Sequence, residues 1–183
     1  MTDTADFLVE IGTEELPPKS LVDLERAFAS QLQDGLKGAS LSFSTLRSFA
    51  TPRRLAVLVG GLQLEQPVRT IEKRGPPVSV AFNADGSPTR AAVAFAEGCG
   101  VAVDAVGRME TPKGAWLFHS ATAPGRPATE LLTGIVTAAL AALPIPRRMR
   151  WGSGEAEFVR PAHWIVMLLG NVVLDAPVLG LVP

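Results

Sequence analysis

Cysteine and histidine are nearly missing from this chain: its 183 residues hold one cysteine and two histidines. A single thiol, Cys99, excludes an internal disulfide, and with only His119 and His163 beside it little material remains for a zinc site. Cys99 stands in GCGV, where a small packing residue is expected. Long apolar runs are missing too. None approaches the roughly 20 residues that cross a bilayer, and the start MTDTADF is acidic where a signal or transit peptide begins basic. The expectation is a cytoplasmic protein without membrane contact. Charge is also scarce, at 19 % Asp, Glu, Lys and Arg, and nearly balanced, with a formal net charge of −1. A surface that binds polyanions everywhere is thereby excluded, and any such binding has to be local. The chain lacks a GxxxxGK[ST] phosphate loop, a GxSxG elbow, an HExxH pair and two histidines at ligand spacing. No catalytic residue and no metal ligand is assigned.

What is present suits a folded domain. Hydrophobic residues make up 47 %, ample for a core. A mean hydropathy of +0.24 suggests that another domain or subunit covers part of the apolar surface. The final run APVLGLVP stops without a polar cap, which leads to the expectation of a larger parent protein. DFLVEIG, residues 6–12, alternates as a strand. Leu21, Leu24, Phe28, Leu32 and Leu36 recur at helical steps, with Gly38 as a stop, and the segments FSTLRSFATP and LAVLVGGL form two strands joined by a turn at PRR. Residues 6–62 thus read β-α-β-β. The stretch QPVRTIEKRGPPVSVAFNADGSP is rich in turn formers, and Asp85-Gly86 is a strong local turn signal. Ser87 is placed to cap a short helix over Pro88–Glu97. GRMET and AWLFHSAT pair around TPKG, and Thr129 caps a second long helix striped by Leu131, Leu132, Ile135, Val136, Leu140 and Leu143. Gly170-Asn171 joins a terminal hairpin. The expected class is α+β, with mixed, largely antiparallel sheets, two long helices and one short one. The expected domains are a β-α-β-β unit over 1–63 and a second, truncated α+β unit over 64–183, packed against the first.

The scarce charge is segregated along the chain. Through residue 25, seven acids stand against Lys19 alone. From 45 to 74, Arg47, Arg53, Arg54, Arg69, Lys73 and Arg74 outnumber Glu65 and Glu72; from 146 to 164, Arg147, Arg148, Arg150 and Arg160 outnumber Glu155 and Glu157. LPIPRRMRWG, residues 143–152, is the densest of these basic stretches. Arginine offers planar bidentate donors to phosphate, so basic segments that converge in space make an anion-binding face. Singly, each has a plainer reading: PRR as a solvated turn, KRGP as a charged loop, and Arg147, the first arginine of PRRMRW, as a partner for the carbonyl end of the preceding helix. Trp151 either stacks on a base or covers arginine stems and core. Glu14 and Glu15 sit at a loop-to-helix junction where they favour the helix dipole, and neither histidine has an evident nucleophile beside it.

FLVEIGTEELPPK at 7–19, ATPRRLAV at 50–57, IEKRGP at 71–76, KGAWL at 113–117, LPIPRRMRWG at 143–152 and FVRPAHW at 158–164 together resemble the beta subunit of bacterial glycyl-tRNA synthetase. The series runs in order over nearly the whole chain and matches the N-terminal part of a longer family protein, whose later HD-like and anticodon-binding regions are absent here. The resemblance implies a class II ligase of two alpha and two beta subunits. Its alpha subunit joins glycine to ATP with magnesium, releases pyrophosphate and passes glycine to the terminal ribose of tRNA(Gly). The beta subunit is required for activity and mainly engages tRNA. The implied partners are tRNA(Gly), the alpha subunit and the remainder of the beta subunit, with no cofactor on this part. Carried over by position, the RNA-binding or interface residues are Arg53, Arg54, Lys73, Arg74, Lys113, Arg147, Arg148, Arg150 and Arg160. The family often has lysine at the position of Arg147, which keeps the charge and changes the geometry. Two alternatives stand beside this reading: an inter-subunit interface without RNA contact, and an editing-like hydrolytic domain.

Overall fold

Phe7, Val9 and Ile11 point one way and Leu8 and Glu10 the other, and the strand they build, β1 (Thr4–Thr13), is the centre of a five-stranded antiparallel sheet. The computed structural model describes residues 3–112, 114–175 and 177–182. On one side β1 pairs with β3 (Arg54–Gln63), beyond which lies β2 (Thr45–Thr51). On the other side it pairs with β9 (Ala162–Leu169), and β10 (Val172–Val173) follows through a hairpin in which Gly170 takes φ +60°. β2 and β3 meet in a two-residue turn, Pro52-Arg53, with Thr51 opposite Arg54.

Two helices complete this unit. α1 (Leu21–Gly38) buries Leu24, Phe28, Leu32 and Leu36, and α4 (Ala128–Ala141) buries Leu132, Val136 and Leu140, the stripes that helical spacing predicts. They pack on each other and share one core with Phe7, Val9, Ile11, Leu55, Val57, Val59, Ile165 and Met167 of the sheet. The close approach of α1 to α4 depends on Gly35, where a Cβ would stand 2.6 Å from Cγ2 of Ile135. Past α4, the strands β7 (Met149–Arg150) and β8 (Glu157–Phe158) form a small ribbon.

Residues 68–124 form a second compact unit. Its sheet has the order β4 (Arg69–Pro77), β6 (Gly114–Ala123), β5 (Gly107–Thr111), all antiparallel. α2 (Val78–Ala81), α3 (Arg90–Cys99) and a 3-10 turn at Val103–Ala105 accompany it around a small core of Ala81, Ala92 and Leu117. Cys99 is half-buried at the end of α3. At the Asp85-Gly86 turn, the Ser87 hydroxyl and backbone N–H donate to the Asp85 carboxylate at 2.6 and 2.9 Å and hold its pKa below the ordinary value of 3.8.

The class is α+β, as the sequence predicts, but the division of the chain differs from 1–63 and 64–183. One unit runs through Pro67 and resumes at Gly125, with the other inserted between. The reason is pairing across the sequence: β9 is hydrogen-bonded to β1, and α4 packs on α1. Three local expectations are also corrected. The short helix covers Arg90–Cys99 with Thr89 at its N-cap position, because Ser87 is held in the turn by Asp85 and Asn83. Thr129 lies within the first turn of α4, whose N-cap residue is Pro127. The turn-rich stretch around KRGP is β4, an exposed edge strand without apolar alternation, recruited by pairing with β6.

Candidate functional site

Three of the motif stretches meet at one end of the five-stranded sheet: TEELPP leaving β1, PRR between β2 and β3, and RPAHW entering β9. Backbone hydrogen bonds tie them together. Thr13 N–H donates to Arg53 O at 2.9 Å, Glu14 N–H to Pro161 O at 3.0 Å, and Leu16 N–H to Pro52 O at 2.6 Å. On this frame Glu14 takes two partners, His163 Nε2 at 2.8 Å and Arg53 Nη2 at 3.4 Å. A carboxylate only accepts hydrogen bonds, so the pairing puts a proton on Nε2 of His163. Arg53 Nε also donates to Thr13 O at 3.4 Å. Thr13, Arg53, Arg54, His163 and Trp164 line a depression here. An exposed histidine-carboxylate pair can move a proton, and an adjacent guanidinium can hold an anion.

Arg160 continues the arginine surface. Its Nε donates to Glu15 O at 3.0 Å and its Nη1 to Val159 O at 3.1 Å, with the sulfur of Met149 at 3.4 Å. It lines one depression with Arg53, Glu14 and Glu15, and a second with Arg147, Arg148, Met149 and Arg150. Arg53 and the 147–150 cluster therefore border depressions that share a third residue, Arg160. Within PRRMRW the helix-capping arginine is Arg148 and not Arg147: its Nη2 donates to Ala141 O at the end of α4, at 2.6 Å. The chain turns after Ala142 so that the second arginine, not the first, faces back along the helix. Arg147 is exposed and has no hydrogen-bond or ion-pair partner among the described residues. Arg150 pairs with Glu155 at 3.2 Å and Glu157 at 3.6 Å, both exposed contacts of the kind that stabilise by about 0–1 kcal/mol. Trp151 packs against the main core.

Arg54 behaves differently. It turns onto the sheet face away from the helices, where its Nη1 meets Glu10 Oε1 at 3.1 Å and its guanidinium lies 5.4 Å from the ring centre of Trp164. Arg54, Gly12 and Trp164 stand opposite one another on β3, β1 and β9. The indole lies across Gly12, and a Cβ at that position would collide with it.

Lys73 and Arg74 belong to the inserted unit. Lys73 Nζ donates to Gly98 O near the end of α3 at 2.8 Å, and the Arg74 guanidinium sits 4.6 Å from the ring centre of Trp116. Lys113 lies outside the described residues. Glu14, His163, Thr13 and Trp164 were not among the residues selected from the sequence, because Glu14 and His163 are 149 positions apart and only the sheet brings them together. Their one sequence signal is membership of the same motif series. Among the described residues no group of three His, Cys, Asp or Glu side chains could hold a metal ion, and no helix is long and apolar enough to cross a membrane.

Taken as a class, this is a two-unit α+β chain with an arginine-rich end built from separated motifs on an antiparallel sheet. The chain belongs to the family of glycyl-tRNA synthetase beta subunits, whose sequence model matches residues 7–182. It is 51 % identical over 180 residues to the glycine–tRNA ligase beta subunit of Marinobacter nauticus, an alignment covering 98 % of this chain and 26 % of that protein. To the Hahella chejuensis protein of the same name it is 54 % identical, over 96 % of this chain and 25 % of the relative. For the Haemophilus influenzae protein the identity is 51 %, over 97 % and 26 %. The chain thus spans about a quarter of the length of these relatives.

Proposed function

We propose that this chain is the part of a glycine–tRNA ligase beta subunit that grips tRNA(Gly) by its phosphate backbone and helps to assemble the ligase. The observation that carries the reading is the depression lined by Arg147, Arg148, Arg150 and Arg160, continuous through Arg160 with Arg53. This concavity suits phosphate oxygens, because Arg147 and Arg150 offer paired planar donors, Arg148 and Arg160 add positive charge from guanidiniums bonded to backbone carbonyls, and binding releases condensed counterions. The ion pairs of Arg150 are exposed and weak, so phosphate can displace them. Lys73, Arg74 and Lys113 are further tRNA-binding or interface residues in this reading. Adenylation of glycine with ATP and magnesium belongs to the alpha subunit in this reading, within a cytoplasmic assembly of two alpha and two beta subunits. The contribution of this chain is to fix tRNA so that its terminal ribose reaches that site, which raises the effective concentration of the acceptor.

The test is the pair Arg147→Ala with Arg150→Ala in the complete ligase. Arg148 is spared because it caps α4. Expected are weaker tRNA(Gly) binding and a salt dependence of log K shallower by about one to two units, roughly 0.7 to 0.9 for each phosphate that is no longer neutralised. Unchanged tRNA affinity and slope in a folded complex would overturn RNA binding by these residues. A second reading, a protein interface, is favoured by the carboxylate partners that Arg53 and Arg150 already hold. There the same variant loses subunit association while the assembled fraction keeps its tRNA affinity.

A further inference from the structure

We propose that the open face of the five-stranded sheet holds one unpaired RNA base, stacked in the depression between Phe49 and the Glu10–Arg54 pair. The inference rests on the RNA-binding reading above and adds to it a base-recognising site away from the arginine groove. The depression has a volume of about 370 Å³ and is walled by Leu8, Glu10, Phe49, Arg54, Ala56 and Leu58. Cross-strand register puts these residues on one face: Leu8 is opposite Leu58, Glu10 opposite Ala56, and Ala56 opposite Phe49. The opposite face carries the core, so this one is left to a partner. Phe49 is 43 % exposed and Trp164 37 %, unusual for large aromatics on a sheet.

Three observations favour a base over a covering protein surface. First, each exposed aromatic is accompanied by a guanidinium: Arg47 lies 5.2 Å from the ring centre of Phe49, and Arg54 lies 5.4 Å from that of Trp164. Aromatic rings and guanidinium planes are the groups on which unpaired bases stack. Second, Arg47 has no carboxylate partner among the described residues, which leaves a free positive charge for a flanking phosphate. Third, the Glu10–Arg54 pair stands within a floor that is apolar apart from Thr51, with the Glu10 side chain 22 % exposed. An apolar protein surface laid over it would desolvate both ions at a cost of several kcal/mol each. A base edge supplies partners for both. Guanine fits best, because its O6 accepts from Arg54 while its N1–H and amino group donate to Glu10.

The test uses the 183-residue chain and short single-stranded oligoribonucleotides: one guanine-rich, one adenine-rich, and one abasic oligomer of equal length and charge. Expected is binding of the guanine oligomer about tenfold tighter than the abasic one. Phe49→Ala removes that advantage and leaves abasic binding unchanged, by the measured worth of base stacking. Phe49→Trp retains it. Glu10→Gln abolishes the preference for guanine over adenine. Phe49 is exposed, so folding of its variants is checked simply by circular dichroism. Equal binding of base-bearing and abasic oligomers, both weakened by Arg147→Ala with Arg150→Ala, would overturn the base site while the groove reading stands. No binding of any oligomer would overturn both. A Phe49→Ala variant that keeps base preference but no longer associates with other ligase subunits would show that the face is a protein interface and would overturn the proposal.

Discussion

Gly12 shows how one missing side chain organises the face beside the site. The Trp164 indole occupies the space its Cβ would fill, and Arg54 on the far side of β1 lies against the same ring. Gly12→Ala is therefore expected to push Trp164 off the sheet, with a loss of about 1–3 kcal/mol for overpacking. A lower melting temperature and a shift of tryptophan emission toward that of a hydrated indole check this outcome; unchanged emission would contradict it. Nothing in the string EIGTEE marks this glycine, since the tryptophan it accommodates comes 152 positions later. The two arginines of PRRMRW show the same limit at shorter range. A helix end followed by arginines is legible in the sequence, but which of them turns back to the last carbonyls depends on the path of the chain past Ala142, and it is Arg148.

Among elements, the long helices α1 and α4 were the most legible and β4 among the least. Leu24, Phe28, Leu32 and Leu36 announce α1 because a helix with one buried side must repeat apolar residues every three or four positions. RTIEKRGPP has no such pattern: its first six residues are exposed, and it is a strand because β6 pairs with it. A local reading cannot find a strand whose partners stand 39 to 54 positions away. The packing of α1 on α4 is similarly non-local. Gly35→Ala is expected to press on Ile135 and cost about 1–3 kcal/mol. Ile135→Leu removes the Cγ2 methyl at this point, so the double variant should be more stable than the sum of the two single changes predicts. Urea titration of the four proteins in a double-mutant cycle measures this coupling.

At the scale of the molecule, the inserted unit leaves and re-enters at one place. Ala128 N–H donates to Leu64 O at 2.7 Å and Gln66 N–H to Arg126 O at 3.0 Å, so the chain segments bounding the insertion are already joined. Replacing residues 68–124 by a flexible linker of about three residues, in the range of ordinary short connections, is expected to leave the five-stranded sheet folded. Slow amide exchange in β1 and a cooperative thermal transition check it. A fragment ending at residue 63, by contrast, lacks β9 and α4 and exposes one edge of β1, and its β1 amides should exchange rapidly.

By itself the sequence determined the elements with their own periodicity, the α+β class and the family, through motifs that keep their order along the chain. Only the tertiary structure decided which motifs are neighbours: Glu14 with His163, Arg53 with Arg160, Arg54 with Trp164 across Gly12. The physical reason is range. Side-chain period and capping act over a few residues and are written locally, whereas β1 receives its second partner from the far end of the chain. No local pattern encodes that pairing, and the arginine-rich end exists only once it has formed.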